Sequence, residues 1–145
     1  HMTHSKGLKP TVQLKLSIHG KSFEESSSGD GQYDAFMRAL VKIYKSQGFQ
    51  LPKLTDYHVS IPPGGKTDAF VETVINWDFG KIFKTKGLDS DQTVAAMMAT
   101  EKMLNIIDKM DTRASDKVKF QELKNQNPEQ DKENFYGNEY SATAR

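Results

Sequence analysis

The feature that most constrains the fold of this chain is a glycine-flanked helix start that occurs twice. The first copy spans residues 29–35, and the second spans residues 87–96. Each copy follows a polar stretch typical of β-structure, and each opens an amphipathic segment. The repeat predicts an α+β fold built from internally duplicated strand-strand-helix units. We expect two pseudosymmetric halves, in which antiparallel sheets pack with two helices.

In the first unit, residues 12–18 alternate between apolar and polar side chains, which indicates a half-buried strand. A second strand is predicted over residues 22–27 after a tight turn. The next segment has apolar residues at spacings of three and four, which predicts a helix over residues 32–47. Gly48 then provides a C-cap.

In the second part of the chain, alternation predicts strands over residues 54–61, 69–78 and 81–86. Gly87 is expected to end the last of these strands, and a helix is expected over residues 90–110. The glycines of the two units align if two residues are added or lost between the copies. The acidic residues before this helix favour an N-cap at its positive end.

Beyond residue 111 the sequence becomes strongly polar, and residues 116–124 predict at most a weak helix. We expect three parts: a tag and leader at residues 1–10, one domain at residues 11–111, and a flexible polar tail at residues 112–145.

The composition argues against several classes of function. The net charge is +1, from 20 basic and 19 acidic residues, which gives no reason to expect a nucleic-acid partner. There is no cysteine and no apolar run of about 20 residues, so we expect a cytoplasmic protein without a membrane partner. The four histidines lack metal-ligand spacing. Phosphate-loop and nucleophile-elbow motifs are missing, so we expect no catalytic residues, metal or cofactor in this chain.

A ligand site is easier to derive from the pattern. The carboxylate of Asp34 lies in the first turn of the predicted helix, where it can pair with an ammonium group. Backbone N–H groups at a helix start can hold a carboxylate. Five apolar residues would form the wall of such a site: Tyr33, Leu54, Tyr57, Ile61 and Val71. From the pattern alone, ordinary core residues are the simpler interpretation of these five.

Three short motifs add a family resemblance. They are Gly-Asp-Gly-x-x-Asp-Ala at residues 29–35, Leu-x-x-Tyr-x-Val at residues 54–59, and Gly-x-x-Ser-Asp from Gly87, followed by Ala95 and Ala99. In this order and spacing, residues 12–111 resemble the C-terminal regulatory domain of the 2-isopropylmalate synthase and citramalate synthase family. The resemblance covers about two-thirds of the chain.

The resemblance implies a homodimer that binds the end-product amino acid of its pathway near the dimer interface. It also implies a catalytic TIM barrel in the same polypeptide, with a divalent metal and acetyl-CoA. Such a barrel needs about 250 residues, so it is not part of this chain. Carried over by position, the effector site would consist of Tyr33, Asp34, Leu54, Tyr57, Ile61 and Val71.

Two positions bear on the identity of the effector. Leucine-sensing members of the family usually carry proline and a small aliphatic residue at the positions of Gln32 and Tyr33, and often a small residue at that of Ile61. Tyr33 and Ile61 would narrow the site and favour isoleucine, because one misplaced methyl group costs about 1–3 kcal/mol. We therefore expect an isoleucine-binding feedback domain of a citramalate synthase. The alternatives are a leucine-sensing domain of a 2-isopropylmalate synthase and a stand-alone small-molecule-binding dimer.

Overall fold

The computed structural model describes residues 8–62, 70–110, 118–125 and 142–143. These residues form seven strands and two helices. In chain order the elements are β1 (Thr11–Ile18), β2 (Lys21–Ser28), α1 (Gln32–Ser46), β3 (Lys53–Ser60), β4 (Val71–Asp78), β5 (Ile82–Asp89), α2 (Gln92–Lys109), β6 (Lys119–Asn125) and β7 (Ala142–Thr143).

The strands form two antiparallel sheets, which confirms the predicted α+β class. One sheet has the order β2-β1-β6-β7, and the other has the order β3-β4-β5. α1 packs against β1 and β2, and α2 packs against β4 and β5. The buried apolar side chains of both halves belong to one core cluster. The centres of the two sheets, β1 and β4, thus take equivalent places under their helices.

The first unit follows its hydrophobic pattern closely. Val12, Leu14 and Leu16 are fully buried on one face of β1, as the alternation predicts. α1 buries the predicted apolar stripe and ends in a Schellman motif. In that motif Gly48 has a φ of +80°, and the N–H of Phe49 donates to the carbonyl of Tyr44 at 2.9 Å. Glycine suits this position because the left-handed conformation strains other residues.

In the second unit, buried hydroxyl and indole groups join the sheet to the helix. The indole N–H of Trp77 donates to Thr85 Oγ1 at 2.9 Å, and this hydroxyl donates to the carbonyl of Ala99 at 2.7 Å. Both hydrogen bonds are buried, so leaving either group without its partner would cost about 1–3 kcal/mol. β4, β5 and α2 are therefore fixed to one another by polar as well as apolar contacts.

The two units align in sequence with an offset of 60 residues. The helices begin at Gln32 and Gln92, and both hairpin turns carry a glycine with positive φ, Gly20 and Gly80. A lysine in each helix donates to a carbonyl of the underlying sheet at 2.8 Å, Lys42 to Ser26 and Lys102 to Lys86. Such equivalent bonds support the predicted internal duplication.

Gly87 does not end β5, and that prediction is wrong. β5 continues to Asp89, and Gly87 lies inside it, paired with Thr73 of β4. A Cβ atom at position 87 would overlap the carbonyl oxygen of Ala95 in α2. The glycine is therefore required by the close approach of helix and strand rather than by a turn. For the same reason Gly87 and Gly29 are not equivalent, because Gly29 follows the end of β2.

The weak helix expected at residues 116–124 is also wrong over its described part. Residues 119–125 form β6, which pairs antiparallel with β1. The register shifts between Lys15 and Leu16, and this irregularity places Phe120 and Leu123 on one buried face. A spacing of three between buried residues is typical of a helix, and here a bulge produces it within a strand.

Several expectations lie partly outside the described residues. These include the leader before residue 8 and most of the polar tail. The three-part division of the chain thus stays a prediction, although β6 adds part of the expected tail to the core. In the described residues, no helix combines the length and apolar character needed to cross a membrane.

The contact between Gly87 and α2 can be tested by substitution. We expect Gly87→Ala to lower the free energy of unfolding by about 3 kcal/mol or more, because the new methyl group meets backbone that cannot move aside. The matched control is Gly31→Ala, where an added Cβ would meet no atom within 4 Å and the expected loss is below about 1 kcal/mol. Urea denaturation measures both, and equal small losses would contradict the close approach.

Candidate functional site

The start of α1 is shaped by a close approach between the chain before it and its first turn. Gly29 is buried, and a Cβ there would lie 2.6 Å from the backbone nitrogen of Ala35. The N-cap residue, Gly31, has an extended backbone and makes no side-chain cap. Asp34 instead reaches back, and its Oδ2 accepts from the N–H of Asp30 at 2.8 Å. The Gly-Asp-Gly-x-x-Asp-Ala motif thus encodes one compact helix start.

Asp34 is held in its charged form. The N–H of Asp30, together with the Arg38 guanidinium at 3.1 Å, keeps the pKa of Asp34 below its ordinary value. Arg38 lies four residues further along α1, so helix geometry brings it onto the same face. A ligand ammonium group would have to share the carboxylate with these two donors. The role assigned to Asp34 by resemblance stays a prediction.

Tyr33 points into the protein and joins the two helices. Its hydroxyl lies 2.6 Å from Thr100 Oγ1 in α2. Thr100 uses its single hydrogen to donate to the carbonyl of Ala96 at 2.8 Å, so Tyr33 is the donor to Thr100. Burial raises the pKa of Tyr33 above its ordinary value. The phenol is neutral at physiological pH, as an ordinary tyrosine is, and the hydrogen bond to Thr100 holds its ring between the two helices.

The structure brings two of the predicted site residues, Tyr33 and Tyr57, into contact. Their ring centroids are 5.8 Å apart, with an angle of 49° between the planes. Tyr57 projects from β3 opposite Ile75 of β4, and its ring is partly buried against the core. A ring pair of this kind contributes about 0.5–1.5 kcal/mol beyond its burial. The contact joins the start of α1 to the second sheet.

The remaining three predicted residues are distributed along β3 and β4. Val71 is half-buried at the start of β4, and Ile61 follows Ser60, whose partner in β4 is Glu72. Ile61 is therefore near that start as well, with 67% of its surface exposed. Leu54 pairs with Trp77, six residues further along β4, which corresponds to about 20 Å. One protomer thus does not place Leu54 and Val71 around a ligand of amino-acid size.

Between Val71 and Trp77, β4 carries a buried hydroxyl group. Thr73 is fully buried, and its Oγ1 has no hydrogen-bond partner among the described residues. In the sheet it pairs with Val59 on one side and Gly87 on the other. An unpaired buried hydroxyl costs about 1–3 kcal/mol. Within the described core, this part of β4 thus contains a buried side chain whose hydrogen-bonding capacity is not used.

The two helix starts differ in their free N–H groups. At α2 the N-cap is Asp91, whose Oδ1 accepts from the N–H groups of Thr93 at 2.8 Å and Val94 at 3.1 Å. At α1 the N-cap is a glycine without a side-chain acceptor. The first turn of α1 therefore retains donors for an anionic group, whereas two donors of α2 are already used.

An apolar cleft of about 270 Å³ lies away from this site, at the other ends of the helices. His19 and Asp108 lie at its edge, with 2.6 Å between Nε2 and Oδ1. None of the six predicted site residues lines it. The lining residues are Ile18, His19, Tyr44, Phe49, Gln50, Phe79, Leu104, Ile107, Asp108 and Met110.

Sequence reasoning did not identify Thr100 and Arg38 as partners of Tyr33 and Asp34. Arg38 could have been found from its spacing of four to Asp34. Thr100 carries a weaker signal, as a hydroxyl in an alanine-rich helix face. No group of three or more histidine or acidic side chains in the described parts of the chain could hold a metal ion.

Comparison with known proteins identifies the family of this chain. Residues 1–108 match the family described as the LeuA allosteric (dimerisation) domain. The chain is 30% identical over 110 residues to a 2-isopropylmalate synthase of Heliobacterium modesticaldum, which covers 76% of this chain and 20% of that protein. It is 34% identical over 97 residues to the 2-isopropylmalate synthase of Aquifex aeolicus, covering 66% of this chain and 18% of that protein.

A 2-isopropylmalate synthase of Clostridium kluyveri is 33% identical over 101 residues, which is 69% of this chain and 18% of that protein. The chain thus spans about a fifth of the length of these relatives. The duplicated units, the glycine-bounded start of α1 and the family match over residues 1–108 agree with one another. This chain belongs to the LeuA allosteric (dimerisation) domain family.

Proposed function

We propose that this chain is the effector-binding module of a 2-isopropylmalate synthase-like enzyme and that it binds a free branched-chain amino acid. The ligand lies between the start of α1 and one end of the second sheet, the end at which β3 ends and β4 begins. The observation that carries the proposal is the contact between Tyr33 and Tyr57, which joins these two regions. Binding changes the activity of a catalytic domain by favouring one of its conformations.

The charges of an amino acid suit the start of α1. Asp34 stays ionised and offers a carboxylate to an ammonium group. The uncapped N–H groups of the first turn offer donors to the ligand carboxylate. Both groups lie within one helical turn, which matches the short distance between the two charges of an amino acid. α2 offers no such combination, because Asp91 occupies its first donors.

The aliphatic side chain of the ligand would contact the rings of Tyr33 and Tyr57, and Val71 at the start of β4. All three are partly buried, so the ligand adds to an existing apolar surface instead of creating one. The tyrosine hydroxyl that faces α2 is already bound by Thr100. The ring face is therefore the part of Tyr33 that a ligand meets.

A second copy of the chain would complete the site. α2 covers β4 and β5, and it leaves apolar side chains of β3 exposed. Leu54 is 39% exposed and Val59 is 38% exposed, on the same face of the sheet as the buried Ile75. A homodimer that covers β3 would bury these residues together with Ile61. It would also allow Leu54 and Val71 to contribute to composite sites from different protomers.

Leucine is the first candidate for the ligand, because the relatives are named 2-isopropylmalate synthases. Isoleucine is the second, and the position of Tyr33 favours it, since the fixed ring narrows the space at the start of α1. Ile61 adds nothing to this argument within one protomer because it is exposed. Effector choice thus depends on Tyr33 and on what the partner protomer contributes.

The identity of the ligand can be tested by titration. Titration calorimetry of the chain with leucine, isoleucine and valine is expected to show saturable binding, tightest for leucine and weaker by about tenfold for valine, which lacks one methylene. Tighter binding of isoleucine would select the second candidate. The absence of heat with leucine and isoleucine at millimolar concentration would contradict an amino-acid sensor.

The role of Tyr57 in the proposed site can be tested by substitution. Replacement with alanine removes the ring that the ligand side chain contacts, and we expect the affinity for the bound amino acid to fall about tenfold or more. Calorimetry measures the change. The matched control is Phe23→Ala, which removes another partly buried strand aromatic, on β2 in the other sheet. Unchanged affinity in Tyr57→Ala, or an equal loss in the control, would remove Tyr57 from the site.

A further inference from the structure

The strand β6 completes the first sheet by crossing over from the second unit. In the second sheet the strand next to β4 is β3, which follows α1 of the first unit. In the first sheet the equivalent place next to β1 is taken by β6, which follows α2 of the second unit. Each helix is thus followed by a strand that joins the sheet of the other unit, and β6 is the counterpart of β3 in the duplicated pattern.

Side chains of α2 hold β6 by its backbone. Asn105 forms two hydrogen bonds with Val118, accepting from its N–H at 2.9 Å and donating to its carbonyl at 3.2 Å. The buried carboxylate of Glu101 accepts from the N–H of Phe120 at 3.2 Å. The positions equivalent to Glu101 and Asn105 in α1 are Val41 and Lys45, which cannot make these bonds. α2 is thus specifically equipped to carry this strand.

The side chain of Phe120 reaches the candidate site through a row of rings. Its ring meets Phe36 of α1 edge to face, with 5.4 Å between centroids. Phe36 stacks with Tyr33 at 5.7 Å, and Tyr33 contacts Tyr57 at 5.8 Å. We call these four residues the aromatic row. It runs from β6 through the start of α1 to β3, and Tyr33 and Tyr57 are the members proposed to contact the ligand.

We propose that Phe120 is a positioning residue for the effector site, and that ligand affinity therefore depends on β6, the strand that the second unit contributes to the first sheet. Phe120 supports Phe36, and Phe36 fixes the ring plane of Tyr33 against which the ligand packs. Thr100 holds the hydroxyl end of the same ring, so ring and hydroxyl are both fixed only when β6 is in place. Sites held by packed neighbours bind better than sites left loose. This inference rests on the proposed amino-acid site.

The test compares two substitutions in the full chain. Phe120→Ala removes the end of the aromatic row, and Leu123→Ala removes another buried apolar side chain of β6 that lies outside the row. Both are expected to lower the melting temperature, because both leave cavities. Calorimetry with the preferred amino acid is expected to show an affinity lower by about tenfold for Phe120→Ala and within about twofold of the unsubstituted chain for Leu123→Ala. Near-ultraviolet circular dichroism reports whether the tyrosine environment changes in Phe120→Ala alone.

A third variant covers the case in which Phe120→Ala does not fold. Phe120→Leu keeps the volume of the core but loses the edge-to-face ring contact, and we expect an affinity loss of about threefold. Equal affinities in Phe120→Leu, Leu123→Ala and the unsubstituted chain would overturn the positioning role and leave the proposed function intact. A chain that binds neither leucine nor isoleucine before substitution would overturn both.

Discussion

The close approach of each helix to the chain beneath it is the constraint on which the rest of this structure depends. At Gly87 there is no room for a side chain, because the backbone of α2 at Ala95 occupies that space. At Gly29 the backbone of α1 and the Asp34 carboxylate do the same. Both contacts lie near helix starts. Tight packing at both helix starts thus fixes the directions in which the N-terminal ends of the helices point. It thereby also fixes the position of the candidate site.

Duplication produces two similar units, and small differences between their helix starts favour the start of α1 as the proposed ligand site. The start of α2 is capped by Asp91, and that of α1 is uncapped and carries Asp34 one turn inside. The helices then meet through the hydrogen bond between Tyr33 and Thr100.

Much of the fold follows from local patterns in the sequence. Alternation in β1 and the apolar stripe of α1 identify these elements, because one face of each packs against the common core. The failures have a physical cause. Gly87 resembles a strand end, but its role depends on α2, and the spacing of Phe120 and Leu123 resembles a helix because a bulge skips one residue. Neither contact can be seen within a short window of sequence.

The candidate site, like the fold, could be predicted from the sequence only in part. The motif at residues 29–35 locates Tyr33 and Asp34, but nothing local indicates that Thr100 binds Tyr33 or that Phe120 supports it through Phe36. These partners come from distant segments. The position of Leu54 likewise depends on a feature that alternation does not reveal. A bulge beside Thr55 keeps Leu54 on the face of Tyr57, while the strand carries it away from Val71.

An amide-resolved NMR titration with leucine and isoleucine can locate the amino acid on the protein. If the ligand binds between the start of α1 and the end of the second sheet at which β3 ends and β4 begins, the largest shifts will fall on residues 31–34, on β3 around Tyr57 and on the start of β4. Shifts concentrated instead around Phe49 and Phe79, which line the apolar cleft at the opposite helix ends, would contradict this location of the ligand.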